Sequence, residues 1–87
     1  MIELLWPDGT VSSGKTYREV EEYMRHSQWR GFKTRWEFRH EMQKRAMAWS
    51  GRKVSVTGSP ERFIRRLASV GMFLLVDCVQ PPTGLVE

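Results

Sequence analysis

Residues 9–16, with the sequence GTVSSGKT, decide between two fold classes. The stretch fits G-x-x-x-x-G-K-[ST], the phosphate-binding loop of nucleotide hydrolases, and it lies between a predicted strand and a predicted helix, as that loop does. Such a loop would belong to a parallel sheet that helices cover on both faces. A β-hairpin followed by a capped helix has the same order along the chain and belongs to a smaller α+β fold.

Three features favour the hairpin. Pro7-Asp8-Gly9 is a turn-forming sequence. It lies at the point where the strand of a phosphate-binding motif would continue directly into its loop. The β-branched pair Thr10-Val11 favours extended backbone over inward-turned N–H groups. A chain of 87 residues is also too short for a parallel sheet with both faces covered. We therefore predict that Gly9–Thr16 binds no nucleotide, although MFLLVD, which ends at Asp77, imitates the second motif of such sites.

Local signals along the rest of the chain predict three helices. Thr16 with Glu19 and Thr34 with Glu37 are spaced as capping boxes that open the first two helices, and Ser59-Pro60 opens the third. Gly51 and Gly71 end the second and third. The predicted strands are Ile2–Trp6, Thr10–Ser12, Val54–Val56 and Met72–Val79. The sequence thus predicts an α+β domain over residues 1–80 in the order β-β-α-α-β-α-β, with a small, mainly antiparallel sheet and its helices on one face. A loose tail follows at 81–87.

Helical and strand periodicity also predicts the hydrophobic core. Almost complete burial is expected at Phe38, Met42, Trp49, Phe63, Leu67, Phe73 and Leu75.

The composition excludes most kinds of catalytic or metal site. A single cysteine, Cys78, rules out an internal disulfide and a cysteine-rich zinc site, and we expect it to be a small core residue. The two histidines, His26 and His40, have no metal-binding spacing, and no pair of acids forms an evident acid/base couple. The longest apolar run, VGMFLLV, suits a buried strand and is too short to span a membrane. We expect a non-enzyme without metal or cofactor in a reducing cytoplasm.

Charge is distributed unevenly along the chain. Residues 1–24 carry two Lys/Arg against five Asp/Glu (net −3), and residues 25–53 carry nine against two (net +7). A basic middle segment favours nucleic acid or an acidic protein as partner. Alternatively, the acidic and basic segments partly neutralise each other within the fold.

The second predicted helix is apolar on two sides. In the stretch QWRGFKTRWEFRHEMQKRAMAW, residues 28–49, one side of the helix forms the core face. Trp36, His40 and Met47 form a second stripe, and Arg39 lies between the two. Either the second stripe is buried against the first helix or the Trp29–Phe32 loop, or these four residues form an exposed protein-binding patch, since Trp, Met and Arg are enriched at interfaces.

The third predicted helix carries three arginines on its outer face. Arg62, Arg65 and Arg66 could clamp phosphates as a nucleic-acid-binding site, or they could simply form a solvated surface. A Glu61–Arg65 pair would leave the other two arginines free.

The chain also resembles a known group of proteins. WPDGT near the start, QWRGFKTRWEFRHEMQKRA in the middle and a short strand near the end are similar to small proteins of unknown function in phages of actinobacteria. The resemblance implies a small accessory protein in the cytoplasm of a bacterial host that binds host machinery. It implies no activity and no particular functional residue.

These observations rank three functions. Binding to a host protein, or self-association, comes first because of the Trp and Met content, and nucleic-acid binding comes second because of the basic middle and the arginines of the third helix. Nucleotide binding at Gly9–Thr16 is third, and no membrane partner is expected.

Overall fold

The computed structural model describes residues 1–28 and 31–77. The strands are β1 (Ile2–Leu5), β2 (Val11–Gly14) and β3 (Leu74–Asp77). The α-helices are α1 (Tyr17–Tyr23), which continues into a π-helical segment at Met24–Gln28, α2 (Arg35–Ser50) and α3 (Pro60–Ser69). The predicted tail at 81–87 and the predicted core residue Cys78 lie outside the described residues.

The three strands form one antiparallel sheet in the order β2-β1-β3. Leu4 lies opposite Ser12 on β2 and opposite Leu75 on β3. Leu4 and Ser12 are buried on one side of the sheet, whereas Val11 and Leu74 are exposed on the other. The α+β class, the three helices and the antiparallel sheet predicted from the sequence are confirmed.

The predicted strand at Val54–Val56 is the exception, since these residues form no strand in the connection between α2 and α3. Side chains of α2, not a neighbouring strand, bind the carbonyl groups of Val54 and Val56. Gln43 Nε2 donates to the Val54 oxygen at 2.6 Å, and Arg39 Nη1 donates to the Val56 oxygen at 2.9 Å. Val54 is nevertheless buried, so its apolar character reflects packing and not strand pairing.

The hairpin between β1 and β2 forms from local contacts. The N–H of Trp6 donates to the Thr10 oxygen, and the N–H of Gly9 donates to the Trp6 oxygen, both at 3.0 Å. Asp8 Oδ1 accepts from the Thr10 N–H at 2.9 Å and from its hydroxyl at 2.7 Å, and these bonds lower the pKa of the Asp8 carboxyl. Gly9 adopts φ +93°, which only glycine adopts readily. The stretch that imitates a phosphate-binding loop is therefore a turn followed by β2.

The predicted helix caps are present. Thr34 Oγ1 accepts from the Glu37 N–H at 3.1 Å and the Glu37 carboxylate accepts from the Thr34 N–H at 3.3 Å, a complete capping box. At α1, Thr16 Oγ1 accepts from the Glu19 N–H, but the Glu19 carboxylate binds the N–H of Lys15 instead of that of Thr16. Ser59 caps α3 and Gly51 ends α2, as predicted.

Five of the seven predicted core residues are buried, and two are not. Near-complete burial is confirmed at Phe38, Met42, Phe63, Leu67 and Phe73. Leu75 is only half-buried, and the prediction for Trp49 is wrong because its side chain is 61% exposed. Burial along α2 ends at Ala46, so the last turn, which carries Trp49, extends beyond the core.

Candidate functional site

The second stripe of α2 is exposed. Trp36 and Met47 are each 47% exposed, and His40 between them is also exposed. The alternative in which α1 or the 29–32 loop buries this stripe is therefore wrong for these three residues, which we call the α2 outer stripe.

Arg39 does not belong to the exposed patch in which it was predicted. Its side chain is 1% exposed and pairs with Glu21, with Nε 2.6 Å and Nη2 3.1 Å from the two carboxylate oxygens. Nη1 donates to the backbone oxygens of Val56 and Gly58, both at 2.9 Å. Because these acceptors compensate for the lost hydration, a guanidinium can remain buried here. Arg39 thus holds α1, α2 and the 56–58 segment together and is not available to a partner.

Arg39 also contacts the Trp36 ring of the α2 outer stripe. Its guanidinium carbon lies 5.3 Å from the ring centroid of Trp36 and 4.9 Å from that of Phe63. The guanidinium of Arg35 lies 5.8 Å from the same Trp36 ring. These cation–π contacts hold the indole in place without burying it. The α2 outer stripe is therefore built on a fixed support.

His40 contributes one polar group to the stripe. Its Nδ1 donates to the backbone oxygen of Trp36 at 2.9 Å, one turn earlier in α2. This bond leaves Nε2 as the ring nitrogen that can bond to a partner.

The acidic end of the chain neutralises part of the basic middle. The spacing of Glu21 and Arg25, four positions apart, favours a pair on the solvated side of α1, but Glu21 is 1% exposed and pairs with Arg39. Arg25 pairs instead with Glu22 at 2.8 Å, and His26 also lies 3.0 Å from that carboxylate. Sequence reasoning missed Glu21 because its partner lies 18 positions away. The one available signal was the position of Arg39 between two apolar stripes of α2. An arginine that is buried there needs an acidic partner.

A groove of about 300 Å³ lies at the C-terminal half of the stripe. It is lined by Gln43, Lys44, Met47 and Lys53. The amide of Gln43 is fixed by its bond to the Val54 oxygen. Lys44 makes only a 3.7 Å contact with Glu41, and the Lys53 side chain has no bonded partner within residues 1–28 and 31–77. The groove therefore combines an apolar thioether with two exposed cations.

The arginines of α3 do not form a free cationic cluster. The predicted Glu61–Arg65 pair is confirmed at 2.8 Å, and Arg65 also lies 3.4 Å from Asp77. Asp77 accepts from the Tyr17 hydroxyl at 2.6 Å, and burial together with this bond raises the pKa of Tyr17 to about 12.

Arg66 was expected to be free, but its guanidinium donates to the backbone oxygens of Ser55 and Thr57. Arg62 alone of the three lacks a side-chain partner in the described part of the chain. The geometry therefore gives α3 one open guanidinium where the sequence predicted two.

In the Gly9–Thr16 stretch, Gly14 packs closely against the start of α1. A Cβ added to Gly14 would lie 2.9 Å from both Glu19 Cβ and the backbone nitrogen of Val20. Two N–H groups in the first turn of α1, those of Glu19 and Val20, are bonded to Thr16. These two N–H groups are therefore not available to a phosphate.

We expect Lys15→Ala to leave folding and any cellular effect unchanged, because Lys15 is exposed and its N–H, the group that bonds to Glu19, is retained. Calorimetric titration of the wild-type protein with Mg-ATP and Mg-GTP should give no saturable heat. Binding in the micromolar range that Lys15→Ala abolishes would contradict this prediction.

A second apolar cleft, of about 450 Å³, lies at the hairpin end of the molecule. It is lined by Trp6, Pro7, Asp8, Arg45, Ala48, Trp49 and Met72. The Trp6 indole is held by a 2.8 Å bond from Nε1 to Ser12 Oγ and by an edge-on contact with Phe73. Sequence reasoning missed this cleft because it assigned Trp49 to the core.

Within residues 1–28 and 31–77, no three His, Cys, Asp or Glu side chains lie close enough together to hold a metal ion. Among the helices in these ranges, none has the length and apolar character that crossing a membrane requires. In comparisons with known proteins, no family model, curated protein or solved structure matches this chain. The resemblance to actinobacteriophage proteins therefore stays a prediction.

Proposed function

We propose that the protein is a non-catalytic binding module that recognises another protein through the α2 outer stripe. The observation that carries this proposal is the half-exposure of Trp36 and Met47, two large apolar side chains on one line of a capped helix. They lie eleven positions apart, about 16 Å along the axis, which is a suitable length for a docked helix or strand. From the resemblance to actinobacteriophage proteins, we propose that the partner is a host-cell protein in a bacterial cytoplasm. A second copy of this chain is the alternative partner for the same surface.

The contacts that hold Trp36 support binding by a partly preformed surface. The capping box at Thr34 fixes the start of α2, and the buried Arg39 fixes Trp36. A partner would therefore lose little free energy in ordering the Trp36 end of this face. Nucleic-acid binding through Arg62, Arg65 and Arg66 has less support, since two of these guanidiniums already have partners within the chain.

Met47→Asp tests the proposal because the Met47 side chain makes no hydrogen bond or ion pair within residues 1–28 and 31–77. The substitution therefore breaks no polar contact of the fold. Selection from a displayed library of random peptides should enrich binders on the wild-type protein, and Met47→Asp should weaken them about tenfold or more. The free energy of unfolding should change by less than about 0.5 kcal/mol, as for other exposed positions. Trp36→Ala is a less specific test than Met47→Asp, because it also exposes the Arg39–Glu21 ion pair and could change stability.

Leu74→Gln is the matched control, since Leu74 is 63% exposed on β3 and lies outside the stripe. It should bind the selected peptides as the wild type does. Equal loss in both variants, or peptides that bind Met47→Asp undiminished, would overturn the assignment of the stripe. Analytical ultracentrifugation of the same variants distinguishes self-association, which Met47→Asp should abolish and Leu74→Gln should not.

A further inference from the structure

We infer that the partner of the α2 outer stripe is an acidic amphipathic segment, whose aliphatic side chains contact Met47 and whose carboxylates pair with Lys44 and Lys53. The inference rests on the proposed function and adds the chemistry of the partner. It starts from the groove in which these two lysines lie with Met47.

Three arginines of the basic middle segment have close carboxylate partners. Arg25 and Arg39 are paired with Glu22 and Glu21 from the acidic N-terminal part of the chain. Arg45 is paired with Glu41 at 3.0 Å.

In the part of the chain that the structure describes, the two lysines beside Met47 have no carboxylate as close as those partners. The Lys44 side chain is 77% exposed and lies 3.7 Å from Glu41, a carboxylate that Arg45 contacts more closely. Lys53 has no side-chain partner within the described ranges. Two cations without a close internal counter-charge therefore flank an exposed apolar residue, and a complementary surface would carry carboxylates around an aliphatic centre.

The groove is better matched to a protein segment than to nucleic acid. The apolar residue of the groove is a methionine, whose flexible thioether adapts to aliphatic side chains. The exposed ring of the stripe on which a base could stack, that of Trp36, lies eleven positions from Met47, about 16 Å along the helix axis. The Gln43 amide, which could contact a base edge, is engaged with the Val54 oxygen. A helix with leucines on one face and glutamates beside them would place apolar contacts on Met47 and carboxylates near both lysines.

Two synthetic peptides of about the length of α2 test this inference. Both carry Leu at every third or fourth position, and the flanking positions hold Glu in one and Gln in the other. Fluorescence anisotropy should show the Glu peptide binding about tenfold more tightly than the Gln peptide. The charge reversal Lys44→Glu with Lys53→Glu should remove that difference. The matched reversal Lys15→Glu with Arg18→Glu, at exposed cations near α1, should preserve it.

The outcomes separate this inference from the proposed function. If both peptides bind equally and Met47→Asp abolishes both, the acidic partner is overturned and the protein-binding stripe stands. If the Lys15/Arg18 reversal weakens the Glu peptide as much as the Lys44/Lys53 reversal does, the attraction is not local and the inference fails. If a single-stranded oligonucleotide binds through Lys44 and Lys53 while the library yields no peptide, both proposals fall.

Discussion

Arg39→Ala is expected to lower the free energy of unfolding by about 3–5 kcal/mol, the usual effect of removing one partner of a buried ion pair. The substitution would leave the carboxylate of Glu21, which is 1% exposed, without a cation. It would also remove the donors to the backbone oxygens of Val56 and Gly58. Small domains are stabilised by only about 5–15 kcal/mol in total, so the variant should be close to unfolding.

A double substitution distinguishes the lost pair from the lost packing. Glu21→Leu with Arg39→Met replaces both charges by apolar groups, and we expect it to be more stable than Arg39→Ala, since such replacements are often nearly neutral. It should remain below the wild type because the Val56 and Gly58 oxygens still lack donors. Urea unfolding followed by circular dichroism measures all three proteins. A value for Arg39→Ala within about 1 kcal/mol of the wild type would mean that the pair does not hold α1 to α2.

Features that depend on near neighbours could be predicted from the sequence. The hairpin turn at Pro7-Asp8-Gly9 and the cap at Thr34 involve contacts over at most four positions, and both are present. The Glu61–Arg65 pair is equally local. In each case the chemistry of the short stretch leaves one favourable geometry, so the prediction needs no knowledge of the fold.

Features that depend on residues far apart in the sequence could not be predicted from it. Helical periodicity gave the direction of Trp49 on α2 but not the point at which the core ends, and that point lies at Ala46. The apolar alternation at Val54–Val56 is real, but its carbonyl groups are bound by Gln43 and Arg39 instead of a strand. Glu21 looked like an ordinary surface acid because nothing near it in the sequence shows that it faces Arg39.

The position of the α2 outer stripe could be predicted from the sequence, but its exposure could not, because exposure depends on distant residues. Sequence periodicity separated the Trp36–Met47 stripe from the core face, yet it could not say whether another element covers that stripe. The structure shows that the buried residues of α2 are Phe38, Arg39, Met42 and Ala46, all on one side. With that side packed, Trp36 and Met47 remain half-exposed.

Leu67→Ala should destabilise the protein by about 2–5 kcal/mol, whereas Trp49→Ala should cost less than about 1 kcal/mol. Leu67 is fully buried on α3 beside Phe63 and Ile64, and its carbonyl accepts from the N–H groups of Val70 and Met72 where the chain turns toward β3. Truncating it opens a cavity among groups that the helix end holds in place. Trp49 is larger but 61% exposed, so its truncation removes mainly one wall of the hairpin-end cleft.

The two variants together test where the core ends. Truncation of a tryptophan in a packed interior costs about 3–5 kcal/mol, more than most leucine truncations. If Trp49 were a core residue, Trp49→Ala would therefore be at least as damaging as Leu67→Ala, and the order of the two midpoints in thermal or urea unfolding would reverse. The expected order, with Leu67→Ala far less stable, follows because stabilisation scales with the apolar surface removed from water and not with the size of the side chain.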